Sequence, residues 1–305
     1  MSNRTTFAVV IVALLAGGAV LWQMHNQKEV SRASAAVPET SPKPGATAEQ
    51  PKAGAVAGSK EMPARASDAG TRPLSTKKAA VVADAGLPLR PGETWQYSAN
   101  VSKLNNVANL RLKVAEKRNF LGKTAWHLQA FAHTENPLRM VFALDDQFDS
   151  YSDAATLVSL QYEMHLNEKG QTVDSVQRMS PAVREPAPAN AIAAQVLPGT
   201  RDPLGMMQYL RTVDWAKTPE VRSPVYDGHK LYDVHARLQA RGEPVTVPAG
   251  NFSTLKIELQ VLDNGAELKD AHFILYLSNT EERLPVLLEA VMPFAVARVE
   301  LVKAE

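Results

Sequence analysis

The chain has 305 residues, 33 Lys and Arg against 32 Asp and Glu, a net charge of +1, and no cysteine. The missing Cys excludes disulfides, thiolate metal sites, Cys nucleophiles and a lipid-modified N-terminal Cys. The balanced charge speaks against nucleic acid as a partner, because phosphate contact needs a basic excess.

Arg4 is the one charged side chain in the first six residues, and Phe7 to Trp22, FAVVIVALLAGGAVLW, is apolar apart from small residues. As a helix this run covers roughly 24 Å, short of a hydrocarbon core of about 30 Å. Thr5, Thr6 and Gln23 extend it, and Trp22 stands where an interfacial aromatic belongs. A membrane helix is expected over 1–22. The best small-residue cleavage site, Ala33-Ser34-Ala35, comes only after Lys28, Glu29 and Arg32, whereas signal cleavage follows the apolar run closely. An uncleaved inner-membrane anchor is therefore favoured. A cleaved signal peptide, leaving a soluble periplasmic protein, is the alternative.

Residues 23–87 are dominated by Ala, Pro, Gly, Ser, Lys and Glu and hold no aromatic. Such a composition buries too little apolar surface to offset its ordering entropy, so a disordered tether is expected. Its reach is on the order of 45 Å. The tether carries the basic excess, which leaves 88–305 slightly acidic.

From Glu93 onward apolar and polar residues alternate. Trp95, Tyr97, Ala99 and Val101 share one face, as do Leu110, Leu112 and Val114. Trp126, Leu128 and Ala130 form another such row, followed by Leu160, Tyr162, Met164 and Leu166, and by Leu255, Ile257, Leu259 and Val261. Alternation of this kind marks antiparallel strands with one buried side. Leu121-Gly122, Lys169-Gly170, Asp227-Gly228, Pro248 to Asn251 with Gly250, and Asn264-Gly265 supply turns. Of these, Asp227-Gly228 and Asn264-Gly265 are the strongest signals for tight hairpins. One helix interrupts the strands, at about 203–213, with Asp202 as N-cap and Pro203 as first helical residue. The expected domain, 88–305, is mainly β, a curved antiparallel sheet or flattened half-barrel with this helix against its open face.

Signatures of catalysis are missing: there is no G-x-S-x-G, no phosphate-binding G-x-x-x-x-G-K, no G-x-G-x-x-G and no H-E-x-x-H. His127 and His133 lie six residues apart on one strand, about 20 Å if extended, too far to share a metal. The same spacing separates His229 and His235. Asp145, Asp146, Asp149 and Asp153 do not match a calcium loop and lack its glycine, so a polar strand edge or turn is expected. Met206 and Met207, with Tyr209, suit either plain core or an adaptable apolar pocket under a curved sheet. No metal and no cofactor is assigned.

Six stretches occur in order: PGETWQYSANV, LDDQFDSYSDAATLVSLQYE, PGTRDPLGMMQYLR, PVYDGHKLYDV, VTVPAGNFSTLKIEL and LSNTEERLPVLLEA. By these the chain, from about 92 to 302, resembles the bacterial domain-of-unknown-function family 3108. The resemblance implies an exported envelope protein of Gram-negative type, mostly antiparallel β, with no reaction or catalytic residue to carry over. Its recurring positions correspond here to Asp146, Phe148, Tyr151, Asp202, Pro203, Tyr209, Asp227, Gly228, Pro248, Gly250, Phe252, Arg283 and Pro285. Most suit caps, turns and core aromatics. Arg283, beside a strand entry, is expected to pair with Asp146 or Asp202, or with an anionic ligand.

Three functions follow in order of weight. The first is a membrane-tethered, non-enzymatic periplasmic module that binds a lipid-like ligand or assists assembly, with Arg283, Asp146, Tyr151, Met206, Met207 and Tyr209 as candidate ligand residues. The second is an interaction domain that engages an envelope protein. The third is an acid–base hydrolase using Asp146 and Asp202 at a fixed separation.

Overall fold

The computed structural model describes residues 88–179, 191–268, 272–292 and 295–305. The expected membrane helix over 1–22 and tether over 23–87 lie outside the described residues. Among the described residues, no helix is long and apolar enough to cross a membrane.

The domain is mainly β, as its alternation predicts. Seven strands come first: β1 Thr94–Val101, β2 Leu104–Phe120, β3 Lys123–Thr134, β4 Asp145–Asp153, β5 Ser159–Glu168, β6 Gln171–Arg178 and β7 Ala191–Ala193. The one α-helix among the described residues follows, α1 Pro203–Thr212. The chain returns through β8 Glu220–Tyr226, β9 Leu231–Val247, β10 Gly250–Asp263, β11 Ala266–Glu267, β12 His272–Ser278, β13 Pro285–Met292 and β14 Ala295–Ala304.

All of them join one open, curved sheet in the order β7-β6-β5-β4-β3-β2-β1-β14-β13-β12-β10-β9-β8, with β11 beside β10. Two meanders, one on each side of α1 in sequence, are fused where β1 pairs antiparallel with β14, Tyr97 opposite Leu301 and Ala99 opposite Val299. The pairing is antiparallel throughout except for β7, which runs parallel to β6. Register shifts in the β2–β3 and β9–β10 ladders, between Val114 and Glu116 and around Leu255, insert extra residues. Such bulges bend long strands.

The rows of alternating apolar residues turn inward. Trp95, Tyr97, Val114, Leu128, Tyr162, Leu255 and Ile257 are buried in one continuous core. Leu259 and Val261, near the far end of β10, are only half-buried. At Leu121-Gly122, Lys169-Gly170 and Asn264-Gly265 both residues of each pair have positive φ, the backbone of a two-residue hairpin turn. Asp227-Gly228 differs from its expectation. It opens a four-residue loop, 227–230, in which Asp227 Oδ1 accepts from the amides of His229 and Lys230 at 2.8 and 2.7 Å.

α1 lies across the concave side against β3, β4 and β8. The Asp202 carboxylate accepts from Gly205 N at 2.8 Å, and Pro203 follows it. At the other end the Trp215 indole N–H bonds Leu210 O at 3.0 Å, occupying one of the last free carbonyls. The segment before α1 stitches the two meanders together. Ser159 N donates to Thr200 O at 3.1 Å, Arg201 N to Pro224 O at 3.0 Å, and Tyr226 N to Arg201 O at 2.8 Å. β5 and β8, far apart in the sheet order, therefore share one connecting strap.

Candidate functional site

Strand parity separates the sequence candidates before any distance is considered. On β4, even-numbered residues face the core and odd-numbered ones the outer surface. Asp146 and Tyr151 thus lie on opposite faces.

On the outer face, the His127 ring nitrogen lies 2.6 Å from Asp149, which also accepts from Gln129 at 2.8 Å and Gln147 at 2.7 Å. Burial pushes the Asp149 carboxyl up, but these bonds outweigh it and hold the group below its ordinary value. Tyr151 stacks on Phe120 at 3.9 Å and on His127 at 4.6 Å. Its hydroxyl is pushed up to about 12 by burial and by Glu163 and Asp149.

Several buried acids lie on the inner face. Asp202 is fully buried and receives hydrogen bonds from Ser150 at 2.6 Å and Ser159 at 2.5 Å. Burial raises its pKa against those bonds. Asp227 is raised by burial in the same way. Burial lifts Asp146 to about 7, opposed by the Asn167 amide at 2.8 Å and reinforced by Glu168. Glu168, also raised by burial, has one buried oxygen without a partner. All three aspartates act electrostatically on the buried Tyr162.

Asp202 is bonded to Ser150, four residues along β4 from Asp146, about 13 Å of strand, so the two carboxylates attach at different positions of the inner face. Among the described residues, no three His, Cys, Asp or Glu side chains are grouped to hold a metal ion.

The helix candidates join the core. Met206 and Met207 are buried, and Tyr209 lies 3.7 Å beneath the Arg201 guanidinium. Arg283 bonds neither Asp146 nor Asp202. It occupies the β12–β13 connection, where its charge is opposed by burial, then by Arg241, and supported by Asp214.

A groove opens at the seam between the two ends of the sheet. Arg178 and Met179 at the end of β6, Ala193 at the end of β7, Ala194 to Leu197 after it, and Leu231 at the start of β9 line about 470 Å³. Most of the lining is apolar, with Arg178 as its one charged group among the described residues, its Nε–H donating to Gln161 at 2.9 Å. Small-molecule sites span about 300–1,000 Å³ and combine an apolar lining with a few polar anchors.

A family model described as "Protein of unknown function (DUF3108)" matches residues 96–302. The chain belongs to the DUF3108 family. No curated protein matches it. A β-barrel-like protein of domain of unknown function DUF1849 from Brucella abortus aligns at a TM-score of 0.44 and 11% identity, over 70% of this chain and 97% of that one. A protein described as a lipoprotein from Parabacteroides distasonis aligns at 0.34 and 13%, over 72% and 97%. An exported protein with a YmcC-like fold from Bacteroides fragilis aligns at 0.34 and 11%, over 72% and 98%.

Two features of this DUF3108 domain escape its sequence. The groove draws on three separate segments, and nothing in any one of them marks it. Arg211 is the other. It sits one turn after Gln208 on the buried side of α1, and its side chain is fully enclosed. It bonds Glu93 at 3.1 Å, Gln208 at 2.7 Å and the carbonyls of Pro88 and Glu282 at 2.9 and 2.8 Å. An Arg and a Gln three residues apart on a mostly apolar helix were the available signal.

Proposed function

We propose that this DUF3108 protein is a non-enzymatic binding module of the bacterial envelope, tethered to the inner membrane with its β domain in the periplasm, and that it holds an acyl-chain amphiphile in the seam groove. The observation that carries this is the 470 Å³ groove, apolar and bordered by the Arg178 cation. Leu197 and Leu231 offer an apolar path for a chain, and Arg178 offers a partner for an anionic head. On the concave side Met206, Met207, Leu210 and Trp215 are packed into the core. The membrane address rests on the apolar run Phe7 to Trp22 and the long polar segment after it.

The test is titration of the full-length protein with dansyl-labelled undecanoic acid, followed by fluorescence. Saturable one-to-one binding is expected, weakened at least about tenfold by Leu231→Asp, since a carboxylate in an apolar groove loses hydration without gaining a partner. Absence of saturable binding, or binding that ignores the substitution, refutes the assignment.

A further inference from the structure

Arg178 stands directly opposite Gln161 across the β5–β6 pair. Its Nε–H donates to Gln161 Oε1 at 2.9 Å. Gln161 is only 4% exposed, and its Nε2 donates in turn to Glu163 Oε1 at 2.5 Å. The amide cannot turn over, because a flipped amide sets its oxygen against a carboxylate and its amino group against a guanidinium. Glu163 therefore fixes Gln161, and Gln161 fixes Arg178.

The group that holds Arg178 is neutral. Arg139, Arg211 and Arg298 each meet a carboxylate, at 2.8, 3.1 and 2.5 Å. Arg178 forms no ion pair among the described residues, and its terminal nitrogens Nη1 and Nη2 make no hydrogen bond to them. Glu163 is engaged by the Gln161 amide and lies 3.7 Å from His165 Nε2. An amide orients a guanidinium without cancelling its charge. With Nε occupied, Nη1 and Nη2 remain as two parallel donors, a fork that matches two oxygens of one anion. The rest of the described lining, Met179, Ala193 to Leu197 and Leu231, carries no charge that could satisfy it.

We infer that the groove selects its ligand by the head: an anionic group that offers two oxygens to the Arg178 fork, a carboxylate or a phosphate monoester, with Gln161 and Glu163 as the positioning residues. The inference rests on the acyl-chain reading and narrows it, since alcohol heads fall outside the selection.

Full-length protein is titrated with three dansyl-labelled undecyl probes that differ only in the head: carboxylate, phosphate monoester or alcohol. The anionic heads are expected to bind at least about tenfold more tightly than the alcohol, the worth of a hydrogen bond to a charged group. The tighter of the two anions tells a fatty acid from a phosphorylated lipid. Exchanging Gln161→Glu with Glu163→Gln preserves net charge and a donor–acceptor pair between the two side chains, but sets the carboxylate on Arg178. The preference for anions is then lost while alcohol binding stays, which also reports an intact groove. Arg178→Met has the same effect without adding charge, and it decides the matter if the exchanged variant binds no probe. Saturable binding of all three probes without preference, or a preference that survives Arg178→Met, overturns this inference and leaves the acyl-chain reading standing. Failure of every probe to saturate the native protein removes both.

Discussion

Arg211→Met is the most informative single change in the domain. The native guanidinium has no solvent exposure, and its partner Glu93 retains 12%. The group also satisfies the carbonyls of Pro88, Glu282 and Arg283 and lies 4.5 Å from the Trp95 ring centre. Methionine fills much of the aliphatic space, so the packing change is small. What remains is a carboxylate and several carbonyls stripped of their donor. Removing one member of a buried pair costs about 3–5 kcal/mol, which for a domain of this size lowers Tm by roughly 10 °C. Adding Glu93→Gln removes the stranded charge and restores about 1–3 kcal/mol. Urea denaturation followed by tryptophan fluorescence reads both, since Trp95 and Trp215 are buried. A loss below about 1 kcal/mol for Arg211→Met, or a double variant no more stable than the single one, would show that the pair is not what holds α1 to the N-terminal strand.

Asp146 titrates near 7 in the folded protein against an ordinary value of 3.8. Because the folded state holds this proton more tightly, stability is full below about pH 4 and falls as pH rises to about 7. Asp202 and Asp227, also raised, act in the same direction. Asp146→Asn should flatten the decline in urea midpoint between pH 5 and pH 7.5, and an unchanged slope would exclude Asp146 as a source. Gly228 has φ +99, and an added Cβ would stand 2.5 Å from the Met164 thioether. Gly228→Ala is therefore expected to destabilise by about 1–3 kcal/mol in thermal melts, and a change within about 0.5 kcal/mol would contradict this.

Which residues turn inward was legible in the chain by itself. Strand side chains alternate between faces, so Trp95-Tyr97-Ala99 or Tyr162-Met164-Leu166 needed only the period, and Asp202-Pro203 needed only cap chemistry. The helix and most turns followed for the same local reason. Pairing between the first and last strands did not, because alternation assigns a face and leaves the partner strand open. Folding also decided where Arg211 goes. Its apolar neighbours draw that side of α1 inside, and the charge is tolerated there only because Glu93, 118 residues earlier, and the carbonyl of Glu282, 71 residues later, arrive beside it. The seam groove is likewise a product of the curvature. It assembles from segments whose proximity comes from bending one sheet until its distant strands share a strap, and local sequence carries no record of that.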